Sequence, residues 1–162
     1  TTEWADEHVG GVLGAGPDRL DAAGEAGIPQ VVSTGALDMV NFGPEDSVPE
    51  KFADRQFHVH NPQVTLMRTT PAENAEIGRI IAEKLNAATG PTTLALPLGG
   101  VSMLDAEGEE FYDPEADTAL FDALRDNIDE TVDLLEIEAN INDDEFAVAV
   151  AERLHESLTD SA

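Results

Sequence analysis

The sequence predicts an α/β fold in which a mainly parallel sheet lies between layers of helices. Two observations carry this. Short, β-branched apolar runs alternate with amphipathic stretches of 9–16 residues, the pattern of right-handed βαβ units. The runs are bounded by Gly and Pro, which close strands and open helices.

The elements follow in order. Residues 9–14 (Val-Gly-Gly-Val-Leu-Gly) read as a short buried strand, and Pro17 suits the first turn of a helix over 18–26 that stops at Gly27. Residues 29–33 (Pro-Gln-Val-Val-Ser) are a second strand. Residues 34–43 have no clean period, and 44–56, charged and broken by Pro44 and Pro49, read as a surface excursion with one helical turn near 49–54. Thr70-Pro71-Ala72-Glu73 is a capping box, and Ile77, Ile80, Ile81 and Leu85 share the face of the helix it opens. Residues 92–97 are a third strand and 105–113 an acidic loop. Asp113-Pro114 opens a helix with Leu120, Phe121, Leu124 and Ile128 on one face. Residues 132–137 are a fourth strand, and Phe146, Val150, Leu154 and Leu158 line a last helix. Four strands make a small sheet, which an upstream strand or a partner chain would complete. The start at Thr1-Thr2, without methionine, predicts a native segment upstream. Trp4 is expected to dock on it, and Met39, Met67 and Met103 to fill the core.

Charge narrows the function classes. The 162 residues carry 34 Asp plus Glu against 8 Lys plus Arg, a net −26, spread along the whole chain. Such a surface repels itself at ordinary ionic strength and is screened near 1 M salt, where the Debye length is about 3 Å. This predicts adaptation to a very salty cytoplasm. No basic patch exists to displace counterions from phosphates, so nucleic acid is not an expected partner. No apolar run approaches the roughly 18 residues of a membrane span. The absence of cysteine excludes disulfides, thiolate catalysis and Cys-ligated metals.

Chemistry concentrates in residues 57–70 and in small-residue loops after strands. Gly14-Ala-Gly16, Ser33-Thr34-Gly35 and Gly99-Gly100-Val-Ser102 leave the carboxyl ends of predicted strands, where open parallel sheets bind ligands. Tight turns need the same residues, and none matches a P-loop or the full dinucleotide fingerprint. His58 and His60 would share a face on a strand, with Asp38 or Asp105 as candidate carboxylates. No third histidine or cysteine is near, so no metal site is assigned. His60 is the candidate to hydrogen-bond a ligand. Arg68, just before a helix cap in a cation-poor chain, suits a phosphate or carboxylate, or else an ion pair with an acid. Asn61 before Pro62 either joins the site or fixes a turn. Ser33 and Ser102 lie outside any Gly-x-Ser-x-Gly motif. Asp113, Glu115 and Asp117 read as helix-dipole partners.

Residues 26–33 (Ala-Gly-Ile-Pro-Gln-Val-Val-Ser), 35–43 (Gly-Ala-Leu-Asp-Met-Val-Asn-Phe-Gly), 60–70 (His-Asn-Pro-Gln-Val-Thr-Leu-Met-Arg-Thr-Thr) and 96–102 (Leu-Pro-Leu-Gly-Gly-Val-Ser) carry a resemblance. Over nearly all of residues 1–150 the chain resembles the carboxyl-terminal half of the Tm-one-like family, named after a plant inhibitor of tobamovirus RNA replication. The resemblance implies a single Rossmann-like, three-layer domain over 1–162, truncated at its amino-terminal side and second of two in a longer protein. It implies ATP binding by the full-length protein, chiefly through the amino-terminal domain, and a homodimer. Antiviral activity is not implied. The functional cluster that the resemblance implies for this chain is Asp38, Asn41, His60, Asn61, Arg68, Gly99, Gly100 and Ser102.

Three readings follow. The first is a cytoplasmic ligand-binding domain holding a phosphate- or carboxylate-bearing small molecule between the Ser33, His60–Arg68 and Gly99–Ser102 loops. The second is an interaction module that pairs with its amino-terminal neighbour or with itself, through residues 35–43 or the edge near Trp4. The third is a hydrolase or lyase using His60 as acid–base, oriented by Asp38 or Asp105.

Overall fold

The computed structural model describes residues 1–160. Its order is α1 (Thr2–Ala5), a π-turn (Asp6–Gly10), α2 (Asp21–Ala26), β1 (Gln30–Ser33), β2 (Met39–Phe42), two 3-10 turns (Glu45–Ser47, Glu50–Phe52), β3 (Phe57–Asn61), β4 (Val64–Arg68), α3 (Pro71–Asn86), β5 (Thr92–Pro97), α4 (Pro114–Asn127), β6 (Val132–Ile137) and α5 (Asp144–Asp160).

Strands β1, β5 and β6 form a parallel sheet with β5 in the centre, in register Gln30↔Thr92↔Val132. Every β5 residue is buried because both faces are covered. Leu94 and Leu96 face one layer with Ile77, Ile81 and Leu85 of α3 and Leu120 and Leu124 of α4. Ala95 faces the other with Phe146 of α5. This is the predicted three-layer α/β arrangement. Helices α3 and α4 pack closely where Gly78 meets the α4 backbone: a Cβ there would lie 2.8 Å from the Leu120 carbonyl oxygen.

The capping box at α3 is present in full, Thr70 Oγ1 accepting from Glu73 N and Glu73 Oε2 from Thr70 N. Asp113 caps α4, accepting from Glu115 N and Ala116 N at 3.1 Å each. Caps of this kind each contribute about 1 kcal/mol.

Sequence reasoning missed a second sheet, antiparallel in order β2-β4-β3. It is inserted between β1 and α3. The hairpin β3–β4 turns at Pro62-Gln63, where Asn61 Oδ1 accepts from Gln63 N at 2.9 Å. Val40, Phe42 and Met67 carry this sheet into the main core.

Four expectations are corrected. Residues 9–14 form no strand. The Asp6 carboxylate accepts from Leu13 N, the Asp6 carbonyl accepts from Gly11 N, and Val12 and Leu13 are 64% and 55% exposed, so this stretch has no buried face to pair. The helix predicted over 18–26 is α2 and begins only at Asp21, because Leu20 takes a left-handed φ of 78°. Trp4 is buried in the core with the Lys84 ammonium 5.0 Å from its ring centroid, so this chain's own residues cover it. Met67 is fully buried, whereas Met103 is 74% exposed. Among the described residues no helix is long and apolar enough to cross a membrane.

Candidate functional site

The three parallel strands end at Ser33, Pro97 and Ile137, and the loops that follow leave from one edge. Open parallel α/β sheets bind ligands at this edge. A buried polar network ties the loops together. Ser102 Oγ donates to Asp38 Oδ2 at 2.6 Å and accepts from Leu104 N and Asp105 N at 3.0 and 3.2 Å. Asp105 Oδ2 accepts from Val101 N at 2.9 Å. Arg68, 4% exposed, donates through Nη2 to Asp117 Oδ1 at 2.7 Å and Asp105 Oδ1 at 3.3 Å, through Nε to Phe111 O at 2.8 Å, and through Nη1 to Thr69 Oγ1 at 2.9 Å.

This network sets one guanidinium against three buried carboxylates. Burial pushes the Asp38 carboxyl up to about 6; the Ser102 hydroxyl draws it down, the Asp105 charge adds to the rise and Arg68 opposes it. Burial also raises Asp117, and the charge of Asp105 raises it further. Asp105 is raised by burial against the hydrogen bond from Val101 N.

The backbone around the network is constrained. Ala36 has a left-handed φ of 55° and donates its N–H to Val101 O at 2.8 Å. A non-glycine residue in this region stores strain that the surrounding contacts must hold. Gly100 has φ 124°, and a Cβ there would lie 1.9 Å from the Asp105 carbonyl oxygen. Thr34 Oγ1 and Asp38 Oδ1 are buried without a hydrogen-bond partner, a state uncommon for buried polar atoms.

Two clefts flank the loop after β5. The larger, about 410 Å³, lies between that loop and α4 and is walled by Gly99, Gly100, Tyr112, Thr118, Phe121 and Arg125. Its cation is Arg125, whose partners Asp122 and Glu136 are themselves solvent-exposed. The smaller, about 260 Å³, opens between the loops after β1, β5 and β6 beside Ser102 and Met103.

The predicted residues divide into two groups. Asp38, Arg68, Gly99, Gly100 and Ser102 come together at the sheet edge. Arg68 is enclosed there as an ion-pair centre, and Ser102 is occupied by Asp38 and two amides. The others lie apart. His60 is exposed on β3, 6.2 Å from the His58 ring, while His58 Nδ1 meets Glu110; no hydrogen bond or ion pair joins His60 to Asp38 or Asp105 among the described residues. Asn61 fixes the hairpin turn. Asn41 Nδ2 donates to the Asp6 carboxylate. Ser33 ends β1 at the same sheet edge as the first group, but its carbonyl is taken by Thr1 Oγ1. Among the described residues no group of three or more His, Asp or Glu is arranged to hold a metal ion.

Sequence reasoning missed Tyr112, Thr118 and Arg125 in the larger cleft and the Asp117 partner of Arg68. Asp117 carried no pairing signal: it reads as a first-turn acid of α4, and Arg68 lies on β4, with α3 and β5 between them in the chain. The cleft residues carried none, because neither Tyr112 in the loop before α4 nor Thr118 and Arg125 on α4 reveal in sequence which loop lies opposite.

Residues 1–158 match the family model described as "Uncharacterised protein family (UPF0261) C-terminal domain". A UPF0261 protein of Clostridium tetani is 59% identical over 155 residues, covering 95% of this chain and 38% of the relative. A UPF0261 protein of Rhizobium meliloti is 50% identical over 152 residues, covering 92% and 38%. The tomato ToMV resistance protein Tm-1(GCR237) is 48% identical over 154 residues, covering 94% and 20%. The chain thus spans well under half the length of these relatives.

Proposed function

The chain belongs to the UPF0261 family, and from this premise we propose that it is a ligand-binding domain whose site is the larger cleft beyond β5. The ligand class is a small molecule bearing a phosphate or carboxylate. The observation that carries the reading is the position of Arg125 in a cleft of about 410 Å³ at the carboxyl end of the central strand, opposite Gly99 and Gly100. Arg125's carboxylate partners are exposed, and such pairs are worth about 0–1 kcal/mol, so a ligand anion can displace them. Arg68 cannot play this part, because its donors are held by buried oxygens; it positions the loop and α4 instead. Tyr112 and Thr118 add hydroxyls at the rim.

The cleft does not fit a triphosphate. It offers one guanidinium and no lysine, against Glu107 and Asp117, where a triphosphate needs several cations or a cradle of helix-end amides. ATP, which the resemblance attaches to the full-length protein, is assigned in this reading to the remainder of that protein, and so is homodimer formation. ToMV resistance, in the name of the tomato relative, concerns that protein, and the cleft geometry carries none of it here. The net charge of −26 supports residence in a salt-rich cytoplasm.

A thermal-shift screen in multimolar KCl tests the site, using inorganic phosphate, sugar phosphates and small dicarboxylates. A ligand at about 100 times its Kd adds about 2.7 kcal/mol. A response that Arg125→Ala removes supports the reading. No response to any of these anions, or a response indifferent to Arg125→Ala, overturns it.

A further inference from the structure

The two edges of the parallel sheet are built differently. The β6 edge is guarded: Asp133 and Glu136 flank it and pair with Arg153 and Arg125. Charges on an edge strand prevent another strand from adding. The β1 edge, Gln30-Val-Val-Ser33, carries no charge and no proline, in a chain with 34 acidic residues.

Its outward N–H groups are open. Gln30 N donates to Pro91 O on the β5 side. Alternation then turns Gln30 and Val32 toward β5, and Val31 and Ser33 outward. The Ser33 carbonyl takes the Thr1 hydroxyl, but among the described residues no hydrogen bond from outside the sheet reaches the Val31 or Ser33 N–H.

Helix α5 extends the same open surface. Its apolar row advances about 40° every four residues, because four steps of 100° overshoot one turn. Phe146 is therefore buried, Val150 and Leu154 are half-buried, and Leu158 is 51% exposed beside exposed Ala147 and Ala151. On the opposite flank Arg153 reaches Asp133 of β6 and Thr93 of β5, while α5 packs on β1 and Val150 joins the cluster that contains Val31. The bare flank therefore overhangs the free side of β1, where Ile28 is also 54% exposed.

The geometry points to the β1 edge and this flank of α5 as the docking surface for a β-strand supplied by the rest of the longer family protein. That strand extends the sheet past β1 and buries Ile28, Leu154 and Leu158. Relatives that match this chain over only 38% of their length have ample chain to supply it. The uncharged edge admits an apolar strand, and the charged β6 edge excludes one.

Residue-resolved hydrogen exchange on the full-length protein tests this, with Gln30 and Val32 as internal controls. The Val31 and Ser33 amides are expected to exchange at least about 100-fold slower than free amides, at a rate independent of protein concentration. Ile28→Glu combined with Leu158→Arg, both at exposed positions, is expected to release Val31 and Ser33 while leaving Gln30 and Val32 protected. Free exchange at Val31 and Ser33 in the unmodified protein overturns the proposal. So does protection that the double variant leaves intact. Protection lost on dilution assigns the edge to a second copy and also overturns it.

Discussion

Ser102 Oγ lies 2.6 Å from Asp38 Oδ2, so a hydroxyl in the loop after β5 fastens a buried carboxylate in the loop after β1, 64 residues earlier. Ser102→Ala removes that donor and the acceptor of two loop amides together. A buried polar group left unpaired costs about 1–3 kcal/mol. Chemical denaturation in high salt should show a loss of that size. A loss within the error of the measurement would mean that the link contributes nothing to stability.

The same pair sets a pH dependence. Asp38 rises from its ordinary 3.8 to about 6 in the folded chain, through burial first, so the folded state holds a proton that the unfolded state releases. The resulting contribution to stability is fully present below pH 3.8 and is lost as pH rises through about 6. Relative to the unmodified protein, Asp38→Asn should therefore gain stability between pH 4 and pH 7. Melting curves that stay parallel across this range would contradict the assignment.

Arg68 holds the network by geometry as well as charge. Its guanidinium reaches two carboxylates, a carbonyl and a hydroxyl in fixed directions. Arg68→Ala leaves Asp105 and Asp117 buried without their cation and should cost about 3–5 kcal/mol. Arg68→Lys should recover little of this, because an ammonium cannot span the same acceptors. Full recovery by lysine in equilibrium unfolding would show that charge alone suffices.

The parallel sheet was legible in the sequence because its strands are short apolar runs between helices with overt caps at Thr70 and Asp113. The antiparallel sheet was not. Residues 34–43 lack a period because β2 occupies only Met39–Phe42, after a turn held by the strained Ala36. Val9 to Gly14 misled for the opposite reason. Its composition is strand-like, but Asp6 pins the segment as a loop. At the site, residue type correctly singled out Arg68, Asp38 and Ser102 as unusual. It could not tell that Ser102 holds Asp38 while Asp105 and Asp117 enclose Arg68, since that depends on contacts between residues 37 to 64 positions apart.

The charge of −26 carries its own prediction. Each arginine already faces at least one carboxylate, so among the described residues most of the acids have no cation to answer them. Raising KCl from about 0.1 M to 1 M shortens the Debye length from about 10 Å to about 3 Å. The melting temperature should climb over that range, and less in an uncharged osmolyte of equal osmolarity. A flat response to KCl would show that the acidic surface is not adapted to salt.

The most direct measurement is amide chemical-shift mapping during titration with inorganic phosphate and with a small dicarboxylate, at constant high ionic strength. Saturable shifts are expected at Gly99, Gly100, Thr118 and Arg125, the walls of the larger cleft, together with their loss in Arg125→Ala. Shifts confined to the β3–β4 hairpin around His60 would move the site elsewhere, and no saturable shift with either anion would contradict the proposed function.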